Sequence, residues 1–251
     1  MTIHQLLRHI PPSNVISGNS EGKLRVLNIN MWGLKWPLAM HQRERFKALS
    51  EILGRSNYDV VLLQEVWYRY QYDIIKGTFP YVSPFRTMNG CSGIFPFPIE
   101  CSGLVILSRH PVKKFWYKSY SVRGWLIIDG QFAVRKGLGI ARIWWNGMTV
   151  DVSTSHLSTY TMSAMENLHE RMVQTMETVD ILRKSSADIK GSFIEMFMLD
   201  AFDLLVFPAT CNSTEDEKTT WIFSSNFFEL FCPQNSLRGP TRHHHWLPPG
   251  K

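Results

Sequence analysis

A short apolar run between residues 58 and 67 limits what this chain can fold into more than any other feature. The stretch reads Y-D-V-V-L-L-Q-E-V-W, and its apolar centre, Val60 to Leu63, is too short for a helix and begins with two β-branched residues. Such a run predicts a strand buried on both faces of an α/β sheet. Because the run stops at Gln64 and Glu65, it places a carboxylate at the rim of that sheet, where α/β enzymes collect ligands and metal ions.

The segments before this run predict a strand and a helix. Residues 24–30 (L-R-V-L-N-I-N) alternate apolar and polar side chains, and this first strand ends on Asn30. Residues 41–53 carry apolar side chains at helical spacing, with charges on the opposite side. The order strand, helix, strand is a β-α-β unit if the two strands pair in parallel. The alternative, in which the second strand joins another sheet, stays open at this stage.

Two later segments predict a hairpin and a long helix. Residues 137–145 and 148–156 alternate in character and are joined by Asn146-Gly147, a dipeptide typical of tight hairpin turns, and the second run ends on His156. From residue 162 to 182, apolar residues that include four methionines recur every three or four positions. This spacing predicts a helix of about five to six turns that packs its methionines against a sheet.

Composition favours one large globular domain with anionic partners. The 251 residues are 44% hydrophobic, which is enough to bury a core, and the net charge of +6 suits nucleic acid, phospholipid headgroups or phosphorylated metabolites. No uninterrupted apolar stretch is long enough to predict a transmembrane segment. The four cysteines form no CxxC pair and favour a reduced, intracellular setting, with a disulfide between Cys91 and Cys101 as the alternative.

Asn30, Glu65 and His156 each lie at the end of a predicted strand and offer an amide, a carboxylate and an imidazole. Carboxylate oxygens suit Mg²⁺, and amide and imidazole groups can bind the oxygens of a phosphate. This combination is typical of a phosphodiesterase site. Each residue also has a structural interpretation: Glu65 as a helix cap, Asn30 as a turn residue and His156 as a core histidine.

Several motifs occur in the order and roughly the spacing of neutral sphingomyelinases. They are L-N-I-N-M-W-G at 27–33, Y-D-V-V-L-L-Q-E-V-W at 58–67, C-S-G-L-V-I-L-S-R-H-P-V at 101–112, K-G-L-G-I-A-R-I at 136–143 and S-T-S-H-L at 153–157. Over residues 23–185 the chain therefore resembles this branch of the endonuclease/exonuclease/phosphatase superfamily. The resemblance implies a four-layer α/β sandwich. It also implies Mg²⁺-dependent cleavage of sphingomyelin, a phospholipid substrate at a membrane surface, to ceramide and phosphocholine.

The resemblance implies roles for four residues on matching positions. Glu65 resembles the metal-binding glutamate, Asn30 the asparagine near the phosphate, and His156 the histidine that contacts the scissile phosphate. Lys136 resembles a lysine in a substrate-side loop. The family has an aspartate five residues before that lysine, where this chain has Gln131.

The C-terminal third departs from the family pattern. The G-D-x-N motif expected after residues 187 and 188 is absent from the sequence, and so is the closing S-D-H motif that supplies the general base. Since a positioned general base contributes ~10²–10⁴-fold in rate, we expect weak or no turnover. We expect a flexible segment over 1–22, a catalytic domain over 23–185 and a divergent, poorly ordered region over 186–251 that leaves the sandwich incomplete.

Two other functions stay open. A nuclease or phosphoinositide phosphatase of the same superfamily would suit the basic charge, although the sphingomyelinase-type motifs argue against a nucleic-acid partner. A non-catalytic lipid-binding module would use the aromatic loop at 84–100. In either case we expect an intracellular protein, cytoplasmic or peripheral at a membrane.

Overall fold

The computed structural model describes residues 23–85, 101–122, 134–158 and 168–186, together with strands at 193–198, 220–223 and 227–231. The helices are α1 (Gln42–Arg55), α2 (Arg69–Ile75) and α3 (Leu168–Ser186), with a 3₁₀ turn at Lys76–Thr78. The strands are β1 (Lys23–Asn30), β2 (Val60–Gln64), β3 (Tyr81–Val82), β4 (Val105–Ser108), β5 (Val112–Ser119), β6 (Gly137–Trp145), β7 (Met148–Ser155), β8 (Phe193–Met198), β9 (Thr220–Phe223) and β10 (Phe227–Phe231).

Two five-stranded sheets stack face to face, in the orders β10-β1-β2-β4-β3 and β5-β6-β7-β8-β9. Alternate residues of the two sheets form the core between them: Leu24, Val26, Val60, Leu62, Ile106, Ala141, Ile143, Trp145, Val150 and Val152. Helices α1 and α2 cover the outer face of the first sheet, and α3 covers the outer face of the second. The result is the four-layer α/β sandwich that the resemblance implied.

The first sheet confirms the predicted β-α-β unit. Strand β1 pairs with β2 in parallel, with Asn30 opposite Gln64. The residues from Val60 to Leu63 are fully buried, as the apolar run predicted, because β1 and β4 flank β2 and a layer covers each face of the sheet. The polar ends of β1 and β2 therefore lie side by side at one edge.

The hairpin in the second sheet is also confirmed. Strands β6 and β7 pair antiparallel from Leu138 opposite Ser155 to Trp145 opposite Met148. Asn146 and Gly147 both have positive φ, 46° and 79°, which is the backbone that a two-residue hairpin turn requires. The turn fixes the register, so Ser155 lies opposite Leu138 and His156 follows at the end of β7.

Helix α3 is present from Leu168, and the part predicted over 162–167 lies outside the described residues. The prediction that its methionines pack in the core is wrong for Met172 and Met176. These side chains are 55% and 70% exposed. The helix instead buries Gln174 and Thr178, because the sheet beneath it offers polar partners. The hydroxyl of Tyr120 lies 2.6 Å from Oγ1 of Thr178, for example. Leu182 is buried in the apolar cluster as well, so the buried face of this helix is part polar and part apolar, which apolar spacing alone could not show.

The strands after residue 186 join both sheets. Strand β8 pairs in parallel with β7, and β10 pairs antiparallel with β1. The sequence pattern predicted no strand at these positions, and the strand it indicated at 204–207 lies outside the described residues. The expected domain boundaries at 22 and 185 stay predictions.

Two further expectations concern the membrane and the cysteines. None of the helices in the described part of the chain is long and apolar enough to cross a membrane. Cys101 is buried and disulfide-bonded, with its partner outside the described residues. The expectation of reduced cysteines is therefore wrong for Cys101; the alternative, a bond between Cys91 and Cys101, involves Cys91, which lies outside the described residues.

Candidate active site

The three strand-end residues singled out from the sequence meet at one edge of the sandwich. Asn30 Nδ2 donates a hydrogen bond of 2.9 Å to Oε1 of Glu65. The same carboxylate oxygen lies 3.8 Å from Nε2 of His156, which arrives from β7 of the opposite sheet. A carboxylate, an amide and an imidazole from three separate strands therefore face a common point.

The backbone at Glu65 is held in an unusual conformation. Its φ is 59°, in the left-handed region that a residue with a side chain rarely adopts. Such strain persists only where the surroundings impose it, and it is concentrated at functional sites. Here the loop after β1 presses against it, since a Cβ added to Gly33 would lie 2.0 Å from the carbonyl oxygen of Glu65.

The structure shows that Glu65 does not cap helix α2, whereas Asn30 does take part in a turn. The residue that caps α2 is Tyr68, and the Glu65 carboxylate instead accepts bonds from Asn30 and from Nε1 of Trp67, at 3.4 Å. Asn30 does serve a turn, because its Oδ1 accepts the backbone N–H of Trp32 at 2.9 Å. That bond orients the amide so that Nδ2 points at the carboxylate. The turn role and the site role of Asn30 are compatible.

His156 and Lys136 are both buried. The imidazole of His156 lies against the indole of Trp67, with 6.1 Å between ring centroids. Lys136 donates from Nζ to the carbonyl oxygen of Leu157 at 3.1 Å, so it holds the segment that carries His156. Gln131, which was aligned with the family aspartate, lies outside the described residues.

A buried polar group beneath the site was not recognised from the sequence. Nε2 of Gln64 donates to Oδ1 of Asn28 at 2.6 Å and to Oγ1 of Thr154 at 2.7 Å. Each of these residues precedes a site residue by one or two positions and points into the space between the sheets. The sequence pattern that could have revealed this group is a polar residue at a position of a strand where the other inward-facing residues are apolar.

Arg45 of α1 brings a positive charge to the same region. Its guanidinium donates to the carbonyl oxygens of Met31 and Trp32 at 2.5 and 2.9 Å. Burial lowers the pKa of Arg45, while the negative charge of Glu65 raises it. Because an arginine stays protonated throughout the usual pH range, this side chain is a fixed positive charge near the carboxylate.

The donor set suits a hard ion bound largely by water and substrate. Within the described ranges, no group of three His, Cys, Asp or Glu side chains could together hold a metal ion. Mg²⁺ is commonly bound through one or two carboxylates together with water and phosphate oxygens, and Glu65 offers one partly exposed carboxylate. The residues present therefore fit Mg²⁺ in this mode, and Glu65 is the side chain that could hold it.

The fold and this edge define the class of protein, and sequence comparison agrees. The chain belongs to the Endonuclease/Exonuclease/phosphatase family, whose family model matches residues 27–243. Within it the chain is similar to sphingomyelin phosphodiesterase 2 of Homo sapiens, at 28% identity over 171 residues that cover 65% of this chain and 38% of that protein. It is also similar to an inositol phosphosphingolipids phospholipase C of Schizosaccharomyces pombe, at 30% identity over 172 residues that cover 64% and 37%. The matched region thus spans less than two fifths of these relatives.

Solved structures show the same fold. Sphingomyelinase C from Streptomyces griseocarneus superposes with a TM-score of 0.58 at 21% identity, covering 71% of this chain and 64% of that one. A beta toxin variant from Staphylococcus aureus with bound magnesium ions gives a TM-score of 0.56 at 21% identity, covering 68% and 62%. The fold class and the resemblance to neutral sphingomyelinases, both expected from the motifs, are confirmed.

Proposed function

We propose that this chain is a Mg²⁺-dependent phosphodiesterase of the sphingomyelinase type that cleaves sphingomyelin to ceramide and phosphocholine with weak activity. The observation that carries the proposal is the convergence of Asn30, Glu65 and His156, with Glu65 Oε1 2.9 Å from the amide and 3.8 Å from the imidazole. Membership of the family and similarity to sphingomyelin phosphodiesterases support it.

Each residue has a distinct task in this proposal. Glu65 would hold Mg²⁺, which when bound polarises a phosphoryl oxygen and neutralises its charge. Asn30 orients the carboxylate through its 2.9 Å hydrogen bond and places an amide beside the phosphate. His156, buried at the same edge, would donate a hydrogen bond to charge that develops on the phosphoryl oxygens. Lys136 keeps the backbone after His156 in place.

The rate should be low because the sequence lacks G-D-x-N and S-D-H, the motifs that supply the water-activating side of the site in the family. Loss of a positioned general base costs ~10²–10⁴-fold in rate. Binding of metal and phosphate depends on the three residues at the described edge and should survive this loss. We therefore expect substrate and metal affinity to be less affected than turnover.

The test is release of phosphocholine from sphingomyelin in detergent micelles, measured against Mg²⁺ concentration. Glu65→Gln should abolish the metal-dependent release. Glu51→Gln, which removes an exposed carboxylate of α1 far along the helix from the site, is the matched control and should leave it unchanged. Release that survives Glu65→Gln would show that the metal assignment is wrong.

A substrate panel tests the headgroup. The relatives' names include both sphingomyelin and inositol phosphosphingolipids, so the panel contains both, together with a phosphoinositide and single-stranded DNA. The proposal expects hydrolysis of sphingomyelin above the others. Preferential cleavage of DNA or of the phosphoinositide would replace it with the nuclease or phosphatase alternative. Cleavage of none, at any Mg²⁺ concentration, would favour a non-catalytic lipid-binding role at a membrane surface.

A further inference from the structure

The loop after β1 exposes an unusual number of large apolar side chains. In the segment 32–40, called here the apolar loop, four such side chains are more than half exposed: Trp32 (55%), Trp36 (76%), Leu38 (52%) and Met40 (62%). Scattered exposed apolar residues are normal, but a cluster of this kind on a short segment marks a surface that contacts something. Tryptophan is also the side chain most suited to a boundary between apolar and wet surroundings.

The apolar loop is anchored firmly, so its exposure is built into the fold. Ala39 within it and Met31 just before it are buried. Arg45 of α1 donates to three carbonyl oxygens at the two ends of the loop, those of Met31, Trp32 and Met40, at 2.5, 2.9 and 3.3 Å. A loop held at both ends by one guanidinium presents its apolar side chains in a fixed direction.

The apolar loop begins at the candidate active site. The backbone N–H of Trp32 donates to Oδ1 of Asn30, whose amide holds Glu65. At Gly33 the loop passes so close to Glu65 that a Cβ would lie 2.0 Å from its carbonyl oxygen. A partner that contacts the exposed side chains of the apolar loop therefore lies next to the candidate active site.

The apolar loop itself carries positive charge. Residues 32–40 contain Lys35 and no aspartate or glutamate, and Arg43 and Glu44 follow in the first turn of α1. Lys35 lies over the ring of Tyr68, with 4.4 Å from Nζ to the centroid, so its charge stays close to the loop. Apolar side chains beside basic ones match a lipid bilayer, in which phosphate headgroups overlie hydrocarbon.

We propose that the apolar loop inserts its exposed side chains into the interfacial layer of a lipid bilayer and so seats the Asn30–Glu65–His156 edge against the headgroups. The significance for catalysis rests on the proposed function, whereas the binding itself does not require turnover. The partner is a phospholipid surface; a protein partner would leave vesicle binding absent.

The test is sedimentation of the full chain with vesicles of phosphatidylcholine and phosphatidylserine in EDTA, where no metal-dependent hydrolysis occurs. The double variant Trp36→Ala/Leu38→Ala should weaken the partition coefficient by at least about tenfold, since each side chain buries substantial apolar area. The matched control is Met172→Ser/Met176→Ser, which removes two equally exposed apolar side chains from α3 and should bind like the wild type.

A second measurement distinguishes a loss of membrane insertion from a variant that fails to fold. Brominated lipids should quench part of the tryptophan fluorescence of the wild type. The conservative Trp36→Phe variant should lose the share of that quenching that comes from Trp36, while Trp32 is still quenched and the protein still sediments. Absence of wild-type binding, or an equal loss in the α3 control, would overturn the inference. Binding that depends on the apolar loop without any sphingomyelin hydrolysis in micelles would overturn the proposed function and leave this inference standing.

Discussion

Nε2 of Gln64 donates a 2.7 Å hydrogen bond to Oγ1 of Thr154 and so joins the two sheets directly beneath the candidate active site. The residues are 90 positions apart in the chain, and each is fully or almost fully buried. Glu65 follows the first of them, and His156 lies two residues after the second. The separation of the carboxylate and the imidazole is therefore set by this bond and by the packing around it.

The cross-sheet bond should be measurable as stability. Gln64→Leu leaves the buried acceptors of Asn28 and Thr154 without their donor and should lower the free energy of unfolding by about 1–3 kcal/mol. Thr154→Val in the same background should cost less than it does alone. Urea unfolding of the wild type, the two single variants and the double variant measures the coupling between Gln64 and Thr154. Thr149→Val, at a partly exposed position on β7, is the control. Strictly additive costs would show that the bond does not couple the sheets.

Asn30 should support metal binding through the Glu65 carboxylate. Removing a hydrogen-bond partner of a metal ligand typically costs 10–100-fold in affinity, so Asn30→Ala should weaken binding of Mn²⁺, used as a probe for Mg²⁺, by about that factor. Titration followed by electron paramagnetic resonance reads the affinity directly. Asn57→Ala changes an exposed amide before β2 and should have no effect. Equal affinity in the Asn30 variant would contradict the proposed arrangement.

The close approach at Gly33 gives a sharp prediction. An alanine there would place its Cβ 2.0 Å from the Glu65 carbonyl oxygen, so Gly33→Ala must displace the backbone at Glu65 and should lower the melting temperature. Gly54 lies in α1 with open space around it, and Gly54→Ala should stabilise the protein by roughly 0.5–1 kcal/mol. Calorimetry of both variants checks the contrast. Two variants that melt alike would mean that the contact at Gly33 imposes no constraint.

The raised pKa of Tyr120 predicts that the free energy of unfolding decreases at alkaline pH. Burial raises the pKa of Tyr120 to about 12 from its ordinary value of 10.0. The folded state therefore keeps a proton that the unfolded state loses, and this contribution is complete below about pH 10 and disappears as the pH rises towards 12. The loss amounts to at most ~1.4 kcal/mol per pH unit.

Tyr120→Phe should accordingly flatten the decline of the free energy of unfolding between pH 10 and 12. Denaturant titrations at a series of pH values provide the measurement. Tyr81→Phe removes a hydroxyl at the surface and should keep the wild-type slope. If the Tyr120 variant declined as steeply as the wild type, its hydroxyl would not be the group responsible.

Local patterns in the sequence predicted much of the fold. The run from Val60 to Leu63, the Asn146-Gly147 turn and the amphipathic helix between the first two strands depend on spacing over a few residues, and all three are present. The failures are of another kind. Met172 is exposed because the sheet beneath α3 offers polar partners, and no local pattern encodes what a helix packs against. Strand β10 pairs with β1 from the far end of the chain.

The same division holds at the candidate active site. The sequence by itself determined which residues end the strands, because a strand stops where its apolar alternation gives way to polar side chains, as at Asn30 and Gln64. Only the tertiary structure decided that His156 of the other sheet comes within 3.8 Å of the Glu65 carboxylate. It also decided that the backbone at Glu65 adopts a φ of 59°. Those features depend on how two sheets pack and on contacts between distant segments, which strand spacing does not specify.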